Sequence, residues 1–341
     1  MGRFTQQKTV VRSYFAALES AAPQHTADVI SRYLTDTHQW WGVYPFRDLK
    51  GKDEVAGQFW VPLKNSLTAM QRREDIFIAG YNELSSSDEQ EVWVMSMGHF
   101  MGLFDREWLG IRPTGKMVSL RYAEFSCVEG EKITKTGLFV DVIGLMQQAG
   151  CYPLPPSTGV YFTYPGPRNH DGLLLADAPE EEGEITRELV NRMVQDLSDL
   201  NDSGAMGCPP EVLEHSWSKN MIWYGPAGIG ATYTIPRYQR QHQLPFRENL
   251  TDKKFHGHEC RLAEGRFAAF FGWPNLSNSP LGGFLGLPGG AKHAEMQVVD
   301  VYCREDDKLS ENWVLIDIPY WLKQQGLDLL ARTGQILNPK Q

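Results

Sequence analysis

The sequence predicts an α+β protein made of two tandem units, each a curved antiparallel sheet packed with N-terminal helices. Three observations carry this. Over residues 1–150 the apolar period runs helix, helix, short aromatic strand, helix and then a meander of strands. From residue 184 the same order restarts with a new helical period. Identities then recur at one spacing: Cys127 and Cys303, Lys132 and Lys308, Asp141 and Asp317, and Gly150 and Gly326 each stand 176 positions apart. Upstream the spacing drifts to 183, at Trp40-Trp41-Gly42 and Trp223-Tyr224-Gly225. At 341 residues the chain has room for two domains of ordinary size. The expected boundaries are a first domain over 1–150, a Pro/Gly-rich linker over 151–183 and a second domain over 184–341.

Taken in order, Val10, Val11, Tyr14, Phe15 and Leu18 mark an amphipathic helix over 6–20, and a second helix follows over 26–34 with Thr26 and Asp28 at its start. Residues 38–46 read as an aromatic strand ending in a turn. Val55, Phe59, Leu63 and Leu67 mark a helix over 52–67, in which Pro62 predicts a kink. Strands are expected over 75–79, 91–103, 116–128 and 132–143, with hairpin turns at 85–89 and 129–132. The linker opens with Tyr152-Pro-Leu-Pro-Pro and ends in a Glu-rich run at 180–184, read as solvated. A helix over 184–200 starts the second unit.

Composition removes several classes of function. A formal net charge of −9 argues against nucleic acid or an anionic membrane surface as partner. Five cysteines without a CxxC pair fit a reducing compartment, and no apolar run approaches the length of a membrane span. The expectation is a cytoplasmic protein.

Candidate chemistry centres on Asp141. By strand alternation it shares a face with Ile133, Lys135, Gly137, Phe139 and Ile143. A carboxyl in apolar surroundings has its pKa raised towards the range useful for acid–base work. Asp317 stands at the equivalent place in the second unit, sharing its face with Leu309, Glu311, Trp313 and Leu315. The competing reading is that each Asp caps the helix that follows it. His99 shares a strand face with Trp93, Met95, Met97 and Met101, a setting in which an imidazole can polarise a carbonyl. Trp40, Trp41, Tyr44, Trp223 and Tyr224 are candidate pocket linings or plain core. His256, His258 and Cys260 alternate as a metal set would, but no fourth ligand is evident. The stretch Gly225-Pro-Ala-Gly-Ile-Gly230 lacks the Lys-Ser/Thr of a phosphate loop.

Gly98-His99, Gly110-Ile-Arg-Pro-Thr-Gly-Lys116 and the run from Asp141 through Gly144-Leu-Met-Gln-Gln-Ala-Gly150 together resemble the SnoaL-like polyketide cyclase family of the NTF2-like superfamily. Trp223-Tyr-Gly-Pro-Ala-Gly-Ile-Gly230 and Phe284-Leu-Gly-Leu-Pro288 extend the resemblance to the second unit, so it covers nearly all of the chain outside the linker. It implies two tandem NTF2-like cone domains and a cofactor-independent enzyme that closes a ring by intramolecular aldol chemistry on a small apolar carbonyl compound. Asp141 would be the acid/base, His99 the polarising group and Asp317 a second candidate. An isomerase, a hydrolase, a non-catalytic binder of a small apolar molecule or a scaffold that only makes protein contacts are the alternatives on the same fold. The copies differ: Asn275 stands for His99, and Glu311 and Trp313 stand where the first unit has Lys135 and Gly137. If only one site is active, the first is expected to be it. Single-unit relatives pair through their sheets, which implies an internal pseudo-dimer and a monomeric or weakly dimeric polypeptide.

Overall fold

A computed structural model describes residues 2–86, 90–204, 207–290 and 292–337. Two compact units emerge, and each is a sheet packed with helices, as the sequence predicts. Their composition departs from contiguous domains. The first unit takes residues up to Pro153 together with Arg168–Asp177 and everything from Asp317 onward; the second takes Leu154–Pro167 and Ala178–Ile316. The expected linker is therefore divided between the units, and Asp317 belongs to the first.

The first unit holds strands β1 (Leu34–Gly42), β2 (Arg47–Lys50), β3 (Leu67–Tyr81), β4 (Val92–Phe104), β5 (Met117–Glu129) and β6 (Lys132–Val140), in the order β2-β1-β6-β5-β4-β3. All neighbours are antiparallel except β1 and β6, so the sheet is mixed rather than purely antiparallel. Helix Thr5–Ser20 buries Val11, Tyr14, Phe15 and Leu18, the spacing that predicts it. Strand β3 runs far beyond the expected 75–79. Its charged start, Gln71 to Glu74, hides the alternation, yet Gln71 to Glu74 pair with β4. The hairpin turn expected at 85–89 falls partly outside the described residues.

Pro62 lies in the helical stretch as expected, but a π-helical turn over Val55–Trp60 precedes it. The wider bonding pattern absorbs the N–H that proline lacks. The second unit repeats the device, with a π turn over Gln239–Gln243 ahead of Pro245. Residues 172–174 of the former linker bond to β3 through Phe77, whose N–H donates to the Gly172 carbonyl at 2.8 Å.

The second unit holds β7 (Trp217–Tyr224), β8 (Ala231–Tyr233), β9 (Leu250–Phe255), β10 (Cys260–Glu264), β11 (Phe267–Pro280), β12 (Ala294–Glu305) and β13 (Lys308–Ile316). Their order is β10-β11-β12-β13-β7-β8, with β9 on β11 and a parallel pair at β13 and β7. One long β3 in the first unit thus corresponds to two short strands here. The helix opening this unit runs Glu180–Asp202, longer than expected. The Glu-rich run is its first turn, where carboxylates suit the positive end of the helix dipole, and Glu182 pairs with Arg304.

Candidate functional site

Asp141 and Asp317 both stand where their last strand gives way to a short helix. The Gly144 N–H donates to Asp141 Oδ1 at 2.9 Å, and the Tyr320 N–H donates to Asp317 Oδ1 at 3.1 Å. Asp317 Oδ2 also accepts the Tyr44 N–H at 2.8 Å. These are helix N-caps, which explains why the residue recurs in both copies. Burial raises the Asp317 carboxyl to about 6 against the pull of those two backbone donors and Arg47.

The other expected site residues scatter. His99 is buried with Nδ1 3.4 Å from Asp75 Oδ2. Trp93 donates to Glu91, Trp40 packs on Phe59, and Phe139 and Trp41 are core. The Tyr44 hydroxyl donates to Asp328 at 2.8 Å and accepts from Lys323 at 2.6 Å. Tyr224 stacks on Trp313, whose indole N–H donates to the Pro165 carbonyl at 3.0 Å. The metal candidates do not share one strand: β9 ends at Phe255, His256 bonds Ser277, and Cys260 opens β10. Among the described residues no three His, Cys, Asp or Glu converge as a metal site would require.

Trp223 and Asn275 are the expected pocket residues that line a cavity of about 280 Å³ inside the second unit. Strand alternation builds its floor. Met296, Val298, Asp300 and Tyr302 are every second residue of β12, and Asn312, Val314 and Ile316 are every second residue of β13. Register places Asp300 opposite Val314 on one side and Phe270 on the other. Met193 and Leu197 of the opening helix form part of the wall, and the π turn contributes His242, whose ring stacks on Trp223 at 3.9 Å and 18°.

Asp300 is the chemical centre of this cavity. It is only partly exposed, on the central strand, with the Asn312 amide 3.5 Å from Oδ1. Burial raises its carboxyl to about 6, opposed by hydrogen bonds from Asn312 and Tyr302. Burial and the charge of Asp300 push the Tyr302 phenol up, and the same two causes raise Tyr238, so both stay protonated donors. Burial lowers His242 to about 3, which keeps its imidazole neutral at physiological pH. The arrangement offers one carboxyl poised near neutrality, phenol and amide donors bonded to it, and walls that include several aromatic rings.

Asp300 is not among the sequence-predicted site residues, although a signal for it is present in the repeat. Cys127 and Cys303 anchor the repeat, and three residues before each lies an acid, Glu124 and Asp300. No family model matches the chain, and no curated protein does. The chain is similar to solved SnoaL-like and NTF2-like structures. A protein of Jannaschia sp. CCS1 described as a SnoaL-like polyketide cyclase shares 18% identity over 45% of this chain and 94% of that one, with a TM-score of 0.35. An NTF2-like protein of Burkholderia xenovorans LB400 shares 10% over 42% and 97%, at 0.33. IdmH of Streptomyces antibioticus, described as a polyketide cyclase, shares 16% over 40% and 96%, at 0.32. At these identities and scores the likeness carries no chemistry to this chain.

Proposed function

We propose that the second unit binds a small carbonyl compound and removes a proton from the carbon beside the carbonyl, with Asp300 as the base. The observation that carries this is a carboxyl raised to about 6 in the wall of an aromatic-lined cavity. In its ionised form Asp300 accepts the proton. Tyr302 and Asn312 hold Asp300 in place, and Tyr238, whose phenol also lines the cavity, is the donor available to the oxygen on which negative charge then develops. Because burial keeps the Tyr238 phenol protonated, it serves as a donor across the working pH range. A cyclase of the aldol type uses this step and then lets the enolate carbon attack a second carbonyl of the same molecule. The reading moves the acid/base role from Asp141, which caps a helix, to Asp300.

The test is deuterium exchange at the α-carbon of 1-tetralone or 1-indanone in D2O, followed by proton NMR. Exchange above the buffer rate in the wild type, lost in Asp300→Asn and kept in Asp141→Asn, supports the proposal. Its pH profile rises through about 6 as Asp300 loses its proton. Binding of the ketone without exchange would instead identify a carrier or sensor, with Asp300 as a hydrogen-bonding group.

A further inference from the structure

A recess recurs at one place in both units. In the first unit Glu19, Lys64 and Leu67 line a recess of about 430 Å³; in the second Asp202, Arg247 and Leu250, each 183 positions on, line one of about 680 Å³. Its position therefore belongs to the fold, but its lining does not. Leu63 and Arg72 stand 183 positions before Phe246 and Phe255. Leu63 is buried, the Arg72 side chain runs inward to Glu124, and neither lines the first recess. In the second unit Phe246 and Phe255 both line it, joined by Leu276 and Leu281. Phe255 is 61% exposed and Leu281 63%, so two large apolar side chains stand in water at its wall. Grouped exposure of this kind marks a surface that another apolar group covers.

The second recess also borders the cavity, since Asn201, Phe246, Arg247, Lys253 and Leu276 line both. With each charged side chain counted once, the two spaces carry Asp202, Glu248, Asp252 and Asp300 against Arg247, Lys253 and Lys254, so no excess of positive charge favours an anion there. We infer that the ligand of this cavity bears an apolar chain, remote from its carbonyl, that passes Phe246 and Leu276 and lies in the recess against Phe255 and Leu281. The inference rests on the second-unit cavity being a ligand site, as proposed above. Such a chain gains affinity by leaving water together with the two exposed side chains. It also sets the direction of the ligand: held at the outer end by its chain, the molecule presents its carbonyl end to Asp300. Binding energy from a part of the ligand that does not react is then used to orient the part that does.

The experiment titrates the full-length protein with 1-tetralone, 6-butyl-1-tetralone and 6-hexyl-1-tetralone by calorimetry. Affinity is expected to rise by about two- to fourfold per methylene, so that the hexyl ketone binds tighter than the parent by tenfold or more. Phe255→Ser and Leu281→Ser each reduce that gain, and the double variant cuts it by about tenfold. Both side chains are exposed and neither lines the cavity, so 1-tetralone affinity and the thermal midpoint stay as in the wild type. Asp300→Asn keeps the gain. A gain that needs Phe255 and Leu281, without deuterium exchange in any of the ketones, supports the subsite and removes the base. Equal affinity along the series, with Asp300-dependent exchange of 1-tetralone intact, would overturn this inference alone and leave Phe255 and Leu281 to a protein partner. A gain that survives the double variant would place the chain elsewhere and overturn it too, and binding of none of the three ketones would overturn both readings.

Discussion

Tyr122 in the first unit and Val298 in the second occupy the same register, 176 positions apart, yet rings and a guanidinium surround the first whereas the second lines a cavity. Tyr122 stacks on Phe100 at 4.3 Å, and both lie against the Arg72 guanidinium, which also covers Phe15 at 3.5 Å. Arg72 in turn pairs with Glu124 at 2.8 Å. The second unit puts Leu276 at the place of Phe100, Gln243 at that of Trp60 and His242 at that of Phe59. Phe255 takes the register place of Arg72, opposite Leu276 as Arg72 is opposite Phe100, and it is exposed. Rings and a guanidinium give way to smaller groups, and the carboxyl at the shared place loses its cation. The first unit thus spends its buried charge on an ion pair, whereas in the second a carboxyl of the same ancestry faces free volume.

Four experiments test that contrast, beginning with the largest effect. Asp300→Asn should lower the exchange rate by about 10²–10⁴, the usual size of a general-base contribution, whereas Glu124→Gln should leave it unchanged. Equal losses would show that the two interiors are not functionally distinct. Second, Arg72→Met strands Glu124 without its cation, and urea denaturation should show a loss of roughly 3–5 kcal/mol. The double variant Arg72→Met/Glu124→Leu should recover most of it, because no buried charge is then left unpaired.

A third test uses pH. Asp300 holds its proton to about 6 in the fold, while an ordinary carboxyl releases it near 3.8. Its contribution is neutral below the lower value, becomes destabilising between the two and stays at its full penalty above the upper. Asp300→Asn should therefore stabilise the protein at pH 8 by about 1–3 kcal/mol, and the gain should shrink towards pH 4. A gain that grows on acidification would contradict a raised carboxyl. The smallest effects belong to the caps: Asp141→Ala should cost roughly 0.5–2 kcal/mol in urea denaturation and leave ligand affinity in the second-unit cavity unchanged.

The repeat made much of this legible from residues alone. Offsets of 176 and 183 align both strand and π-turn positions, so Tyr122 with Val298 and Glu124 with Asp300 could be paired on paper. Asp141 and Asp317 stand out more strongly than that pair because capping retains a residue as firmly as catalysis does. Recurrence between copies therefore points to shared grammar, and the differences at matched positions are where the chemistry separates.

The sequence by itself determined the α+β class, the duplication, the helix faces and the alternation that turns Asp300, Tyr302 and Asn312 to one side of a sheet. These are local and periodic properties, set by neighbours a few residues away. Tertiary structure alone decided which carboxyl meets a cation and which meets empty volume. That depends on where Arg72 and Phe255 fall on their strands, and so on a break between β9 and β10 and a register shift in β11 around Asn275. It also assigned the chain from Asp317 onward to the first unit. Contacts between residues far apart in sequence settle such matters, and neither composition nor period records them.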